Sequence, residues 1–117
     1  MTNLRLIALC LIFIFAGSTI HASDSRFILK EHIVVDMEKK IDWLRCSVGQ
    51  RWDGNECVGK IVNLSLDMVP EALVIANEQL GGKWRLPSKS ELKSIVCKEC
   101  SSPKINEDIF PNTDNAP

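Results

Sequence analysis

Residues 83–96, read as K-W-R-L-P-S-K-S-E-L-K-S-I-V, constrain the fold of this chain more than any other stretch. Trp84 and Leu86 alternate with charged neighbours, a period-2 pattern that predicts a short strand with one buried face. Pro87 cannot donate to a sheet ladder, so we expect the strand to end there. The stretch therefore predicts a strand followed by a sharp corner.

The corner leads directly into a predicted helix. Ser88 and Glu91 form an S-x-x-E capping box, in which each side chain accepts a hydrogen bond from the backbone N–H of the other residue. Apolar residues then follow at helical spacings and form one stripe: Leu92, Ile95 and Val96. These residues set geometry, and none of them is an evident catalyst.

A second helix is predicted over residues 68–80. Asp67 is expected at its N-cap, with Pro70 in the first turn. Gly81 is expected to end it as a C-cap. Its apolar stripe consists of Val69, Leu73, Ala76 and Leu80.

Strand signals lie mainly in the first half of the chain. Residues 32–36 and 41–46 are predicted to pair as a hairpin. The Asp53-Gly54 step is a strong signal for a tight turn, and residues 60–66 offer a further short strand. Together with the two helices, these elements predict an α+β fold with a small antiparallel sheet.

The N-terminal segment is typical of a secretory signal peptide, predicted over residues 1–22. An apolar run at residues 6–16 follows Arg5 and is too short to span a bilayer comfortably. Ala22 then offers a small residue before a cut. The alternative is an uncleaved anchor. We therefore expect export to the periplasm, the cell surface or the medium, with no membrane association after cleavage.

Four cysteines remain after such a cleavage: Cys46, Cys57, Cys97 and Cys100. An even number in a small exported chain predicts two disulfides, with three possible connectivities, and core burial alone is marginal at this size. We predict Cys46–Cys57 as one bridge. The full sequence has 14 basic and 15 acidic residues, and cleavage would remove only Arg5 among them, so there is no basic excess that would indicate nucleic-acid binding.

Cys97 and Cys100 form a C-x-x-C motif with three interpretations. Redox catalysis normally places such a motif at a helix start, whereas this one follows a predicted helix end. A zinc site would need two further ligands at suitable spacing. We favour a structural bridge and predict no catalytic residue, cofactor or metal site.

Trp52 is the strongest candidate for ligand contact. It lies between Arg51 and Asp53 in the loop that a Cys46–Cys57 bridge would close, and exposed tryptophans serve as platforms for sugars. The alternative is that it is a core anchor, which is our interpretation of Trp43 and Trp84. We therefore assign Trp52, Arg51 and Asp53 as candidate binding residues.

Several of these segments together resemble the bacterial Lcl C-terminal domain family. The matching segments are R-C-S-V-G-Q from Arg45, W-D-G from Trp52, C-x-G from Cys57, W-R-L-P from Trp84, E-L from Glu91, I-N from Ile105 and F-P-N-T from Phe110. The resemblance implies an exported domain with an α+β fold related to C-type lectins. In the family's namesake, a surface adhesin, the domain is associated with attachment and binding of sulfated polysaccharides.

The chain departs from the family pattern in two places. Residues 40–42 replace a usual T-G-L, and the W-S-S segment that normally follows F-P-N-T is not found before Pro117. We therefore expect a partial domain over residues 27–113 with its C-terminal strands missing and a tail at 114–117. Residues 84–86 should then form an open strand edge, and residues 101–117 should be the most loosely held part.

These observations lead to one main functional hypothesis and two alternatives. The main hypothesis is a non-enzymatic exported binding or adhesion module, with polysaccharide or a host surface as its partner. The alternatives are a thiol-redox or other enzyme that uses Cys97 and Cys100, and a degenerate fragment without independent function.

Overall fold

A computed structural model describes Gly17 and residues 26–114. Apart from Gly17, the signal peptide predicted over residues 1–22 lies outside the described residues, and so do residues 115–117 of the predicted tail. Within the described part of the chain, no helix is both long and apolar enough to cross a bilayer.

The main sheet has three antiparallel strands in chain order. They are β1 (Phe27–Lys30), β2 (Ile33–Asp36) and β3 (Ile41–Leu44). The hairpin predicted from residues 32–36 and 41–46 is confirmed as β2 and β3, with Val34 opposite Trp43. Strand β1 was not predicted as a separate element. Its tight connection to β2 places Glu31 at a positive φ of 53°, and glutamate is not a residue that signals such a turn.

A second, smaller sheet lies in the disulfide-closed loop. Strands β4 (Arg51–Trp52) and β5 (Cys57–Val58) pair antiparallel, with Trp52 opposite Cys57. The predicted turn at Asp53-Gly54 is confirmed, because the Asp53 Oδ1 atom accepts backbone N–H bonds from Asn55 and Glu56, both at 2.8 Å. The predicted Cys46–Cys57 disulfide is present and fastens β5 to the segment after β3.

Two helices follow, as predicted. Helix α1 spans Val69–Leu80 and ends at the C-cap Gly81 with a φ of 70°, where a residue without Cβ is favoured. The prediction of Asp67 as its N-cap is wrong. Asp67 lies inside a 3₁₀ turn, Leu66–Met68, which precedes α1 and moves the start of the α-helix to Val69.

Helix α2 spans Lys89–Ser94, and its predicted capping box is confirmed. The Ser88 hydroxyl accepts from the Glu91 N–H at 3.2 Å, and the Glu91 carboxylate accepts from the Ser88 N–H at 2.7 Å. The Arg85 guanidinium also donates two hydrogen bonds to the Glu91 carboxylate in a bidentate arrangement, at 2.8 and 2.9 Å. The hydrogen bonds from Arg85 lower the pKa of Glu91 most, and those from Ser88 add to the shift, so that the pKa is about 2.

The strand predicted at residues 84–86 is absent, and so is the one at 60–66. Trp84 bonds back to the end of α1 instead. Its backbone N–H donates to the Asn77 side chain, and its indole Nε1 donates to the Gly81 carbonyl at 2.7 Å. Period-2 alternation makes a strand only where another strand is adjacent, and none of the described strands pairs with this segment.

The core lies beside the three-stranded sheet and is small. Val34 and Trp43 are buried together with Phe110, whose ring meets that of Trp43 edge-on at 6.1 Å. Phe110 belongs to the segment expected to be loosely held. The structure ties that segment down instead, both through this ring and through an isolated bridge between Ile105 and Val96.

A buried ion pair joins the sheet to α2. The Asp36 carboxylate is fully buried and receives bonds from the Arg26 guanidinium at 3.0 and 2.8 Å and from the Trp43 indole at 3.3 Å. Burial alone would raise the pKa of Asp36, but these bonds and a backbone N–H from Lys39 outweigh it and hold the pKa at about 2. Arg26 also donates to the Ser94 carbonyl at 2.9 Å, which ties the end of α2 to the sheet.

Candidate functional site

Trp52 is held from two sides on the β4–β5 hairpin. Its indole Nε1 donates to the Glu31 carboxylate at 2.9 Å, and the Arg45 guanidinium lies 4.3 Å from the centre of its ring. The second contact is a cation–π interaction. The ring is half-buried, so these contacts fix its orientation while part of it still faces solvent.

Arg45 organises this part of the molecule, and sequence reasoning did not single it out. Its guanidinium donates to three backbone carbonyls, those of Ile109 at 2.9 Å and of Glu31 and Asp108 at 3.0 Å. Burial lowers the pKa of Arg45 and the Glu31 carboxylate opposes that shift, although a guanidinium stays protonated at neutral pH. The only signal was its place at the head of the R-C-S-V-G-Q segment.

Arg51 and Asp53 are exposed on either side of Trp52. Because successive side chains of a strand point to opposite faces, Arg51 and Trp52 lie on different faces of the hairpin. Hydrogen bonds from the backbone N–H groups of Glu56 and Asn55 lower the pKa of Asp53, and the charge of Arg51 adds to that shift. The structure thus brings the three candidates onto one short hairpin but not onto one face.

The hairpin is stiffened at its base. The Cys57 N–H donates to the Asn112 side chain at 3.2 Å, in addition to the Cys46–Cys57 disulfide. Gly49 sits close by with a φ of 93°, and a Cβ there would collide with the Lys60 carbonyl oxygen. The candidate residues therefore lie on a loop whose conformation is restrained by a disulfide and a hydrogen bond.

The C-x-x-C motif forms a local disulfide between Cys97 and Cys100, as favoured from the sequence. It lies just after the end of α2, and the Cys97 N–H donates to the Lys104 carbonyl at 3.0 Å. The disulfide therefore lies inside the loop that carries Ile105 back to Val96. Across residues 26–114, no three His, Cys, Asp or Glu side chains are grouped as metal ligands would be.

A groove of about 640 Å³ opens between β3, α1, residues 82–87 and α2. Its walls are mainly apolar side chains: Ile41, Leu44, Leu73, Ala76, Trp84, Leu86, Leu92 and Ile95. A second, polar depression of about 420 Å³ lies beside Cys100 and is lined by residues of the 99–108 loop. The sequence patterns predicted neither. The apolar groove forms between segments that are distant along the chain, and the polar depression depends on the path of a single irregular loop.

Comparison with known proteins gives one match. The family model of the Lcl C-terminal domain matches residues 32–117. No curated protein and no solved structure matches the chain.

Proposed function

We propose, since this chain belongs to the Lcl C-terminal domain family, that it is an exported binding module of the adhesion type that contacts polysaccharide through the β4–β5 hairpin. The observation that carries this proposal is the fixed Trp52 ring, oriented by Arg45 and Glu31 and partly open to solvent. An aromatic ring held in place loses little conformational freedom when a ligand packs on it.

The polar groups next to Trp52 suit hydroxyl-rich ligands. Arg51 provides exposed donors on the same hairpin. Asp53 uses its Oδ1 atom for the turn, and its Oδ2 atom receives no hydrogen bond from residues 26–114. A carboxylate oxygen can accept from sugar hydroxyls and a guanidinium can donate to them. Because Arg51 lies on the other face of the hairpin from Trp52, it would contact only a ligand that extends past the ring.

The charge of the chain favours neutral over highly sulfated polysaccharide. The formal net charge is −1, and Arg51 is a single exposed cation rather than part of a basic cluster on the hairpin. Dense sulfate would need several cations close together to offset its own repulsion. We therefore propose uncharged or weakly charged polysaccharide as the ligand class.

A glycan array probed with the purified full chain tests this proposal. We expect binding above background to neutral polysaccharides, with a loss of about tenfold in affinity for Trp52→Ala, comparable to a stacking contact of about 1.4 kcal/mol. Arg51→Ala should weaken binding by a smaller factor. The matched control is Lys93→Ala, an exposed cation on α2 away from the hairpin, which should bind as the unmodified chain does.

Trp52→Ala removes the contacts to Arg45 and Glu31, so its fold must be compared by circular dichroism and thermal unfolding. The Arg51 side chain makes no hydrogen bond within residues 26–114, so Arg51→Ala serves as the variant that leaves the fold intact. Absence of binding to every glycan, or equal binding by the Arg51→Ala and Trp52→Ala variants and the unmodified chain, would contradict a polysaccharide site on this hairpin.

A further inference from the structure

We propose that the groove between β3 and α1 is an acceptor site for an extended segment of a partner polypeptide, which adds to β3 as a fourth strand. This inference concerns a different surface from the β4–β5 hairpin and does not depend on what the hairpin binds. It rests on three features: the free edge of β3, the apolar walls of the groove and the charges at its rim.

Strand β3 is the outer strand of the sheet and borders the groove. The Arg45 N–H donates to the His32 carbonyl at 2.9 Å, just beyond the β2–β3 ladder. Bonded pairs alternate along an antiparallel ladder, so Trp43 and Ile41 direct their backbone groups to β2. The N–H and C=O groups of Asp42 and Leu44 consequently point towards the free edge, where a further strand would bond to them.

The groove beside this edge is shaped for apolar side chains. Neither α1 nor α2 has a buried residue, although Leu73 and Ala76 of α1 and Leu92 of α2 line the groove. Its volume of about 640 Å³ falls within the usual range for occupied protein pockets. A strand on β3 would direct every second side chain into it, which is the arrangement of strand addition to a sheet edge.

The walls limit the occupant to a single extended chain. Helix α1, residues 82–87 and α2 surround the groove on the sides away from β3. A second folded copy that offered its own β3 would carry its own α1 and α2 into the same space. An extended segment has no such attachments and can reach the backbone of Asp42 and Leu44.

The charged side chains near the groove indicate which residues the partner segment should carry at its two ends. Lys39 and Lys40 precede β3 and Lys83 lines the groove, and none of these three lysines forms an ion pair within residues 26–114. The Glu91 carboxylate at the rim is already neutralised by Arg85 at 2.8 Å, and Asp42 is the one acidic group that lines β3 itself. We therefore assign the partner alternating apolar residues with acidic residues at its ends.

A synthetic peptide tests the assignment on the full chain. The probe is ten residues long, with six central residues that alternate valine and threonine and two glutamates at each end. We expect saturable binding, with amide NMR shifts at Asp42 and Leu44. The same peptide with its six central amides N-methylated keeps the side chains but cannot pair with a strand, and it should bind at least about tenfold more weakly.

Two substitutions at one position separate edge pairing from charge. Asp42→Pro removes an N–H that points away from β2, a position that tolerates proline in an edge strand, and it should weaken peptide binding at least about tenfold. Asp42→Ala keeps that N–H and should bind at least as tightly as the unmodified chain. If Asp42→Pro does not fold, Ala76→Phe, which fills the groove from α1, should weaken peptide binding as well and tests occupancy of the groove, while the N-methylated peptide tests edge pairing.

Several results would overturn the assignment. One is absence of peptide binding to the unmodified chain, and another is equal binding of the N-methylated peptide. A third is a dimer in sedimentation equilibrium that Asp42→Pro converts to monomer, which would identify the occupant as a second copy of this chain.

Discussion

The sheet half of the molecule and its helical half are built from similar amounts of apolar sequence, but only the sheet half buries it. The buried side chains of the described residues are Val34, Asp36, Trp43, Cys57 and Phe110. All five lie on the sheet, on the β4–β5 hairpin or on the segment that packs against them. Helices α1 and α2 contribute none, and apolar side chains such as Val74 and Leu92 are about half exposed.

The difference shows that forming a helix and burying a helix are separate events. Helix α2 has a complete capping box, and α1 has a glycine C-cap, so local hydrogen bonds define both helices. Burial instead needs a second surface, which the strands provide for one another and which Phe110 provides for Trp43. On the side of α1, the corresponding space is the groove.

The largest expected effect is a difference in the free energy of unfolding between an alanine substitution in the sheet half and one in the helical half. Phe110→Ala should lower the free energy of unfolding by about 3–5 kcal/mol, because it empties the centre of the core. Leu73→Ala, on the groove face of α1, should cost less than about 1 kcal/mol because its side chain is already partly solvated. Urea unfolding followed by tryptophan fluorescence measures both.

Equal losses for Phe110→Ala and Leu73→Ala would mean that α1 is packed in solution and that the groove is closed. The Leu73 result is the more informative one, since a loss of several kcal/mol there is incompatible with an open groove.

Acid should destabilise the sheet half through Asp36. The pKa of this carboxyl is about 2 in the fold, against an ordinary value of 3.8. A lowered pKa stabilises the fold at a pH above the ordinary value, and that contribution is lost as the pH falls towards 2. A shift of this size corresponds to about 2 kcal/mol.

The matched control is Asp36→Asn, which cannot titrate at this position. The difference in unfolding free energy between the unmodified chain and this variant should shrink by about 2 kcal/mol between pH 5 and pH 2. A constant difference over that range would show that the bonds from Arg26 and Trp43 do not stabilise the ionised carboxylate.

The smallest effect is local to the helical half. Ser88→Ala removes one side of the capping box and should cost about 1 kcal/mol. Within residues 26–114, the hydrogen bonds between Arg26 and Ser94 tie α2 to the sheet at its C-terminal end. We therefore expect faster amide exchange at Glu91 and Leu92 and little change at Val34. Ser101→Ala, an exposed serine outside any helix, is the control. Faster exchange at Val34 in Ser88→Ala would show that the two halves unfold together.

The elements that local patterns predicted are those that local hydrogen bonds complete. The S-x-x-E box, the Asp53-Gly54 turn and the Gly81 C-cap each join groups a few residues apart, so the sequence alone specified them. The Cys46–Cys57 bridge belongs with these, because its partners are 11 residues apart along the chain. Of the candidate site, the sequence supplied the Asp53-Gly54 turn and Trp52. It supplied neither the two strands that flank the turn, nor Arg45, nor the separation of Arg51 and Trp52 on two faces.

Tertiary structure decided whatever depends on a distant partner. Residues 84–86 have a strand-like pattern but no adjacent strand, so they bond to the end of α1 instead. Phe110 lies in a polar segment yet completes the core, and Arg45 reaches carbonyls more than 60 positions away along the chain. A periodic pattern records which face of a segment is apolar but not what covers that face. Only the folded arrangement shows that Trp43 meets Phe110, whereas Leu73 meets an open groove.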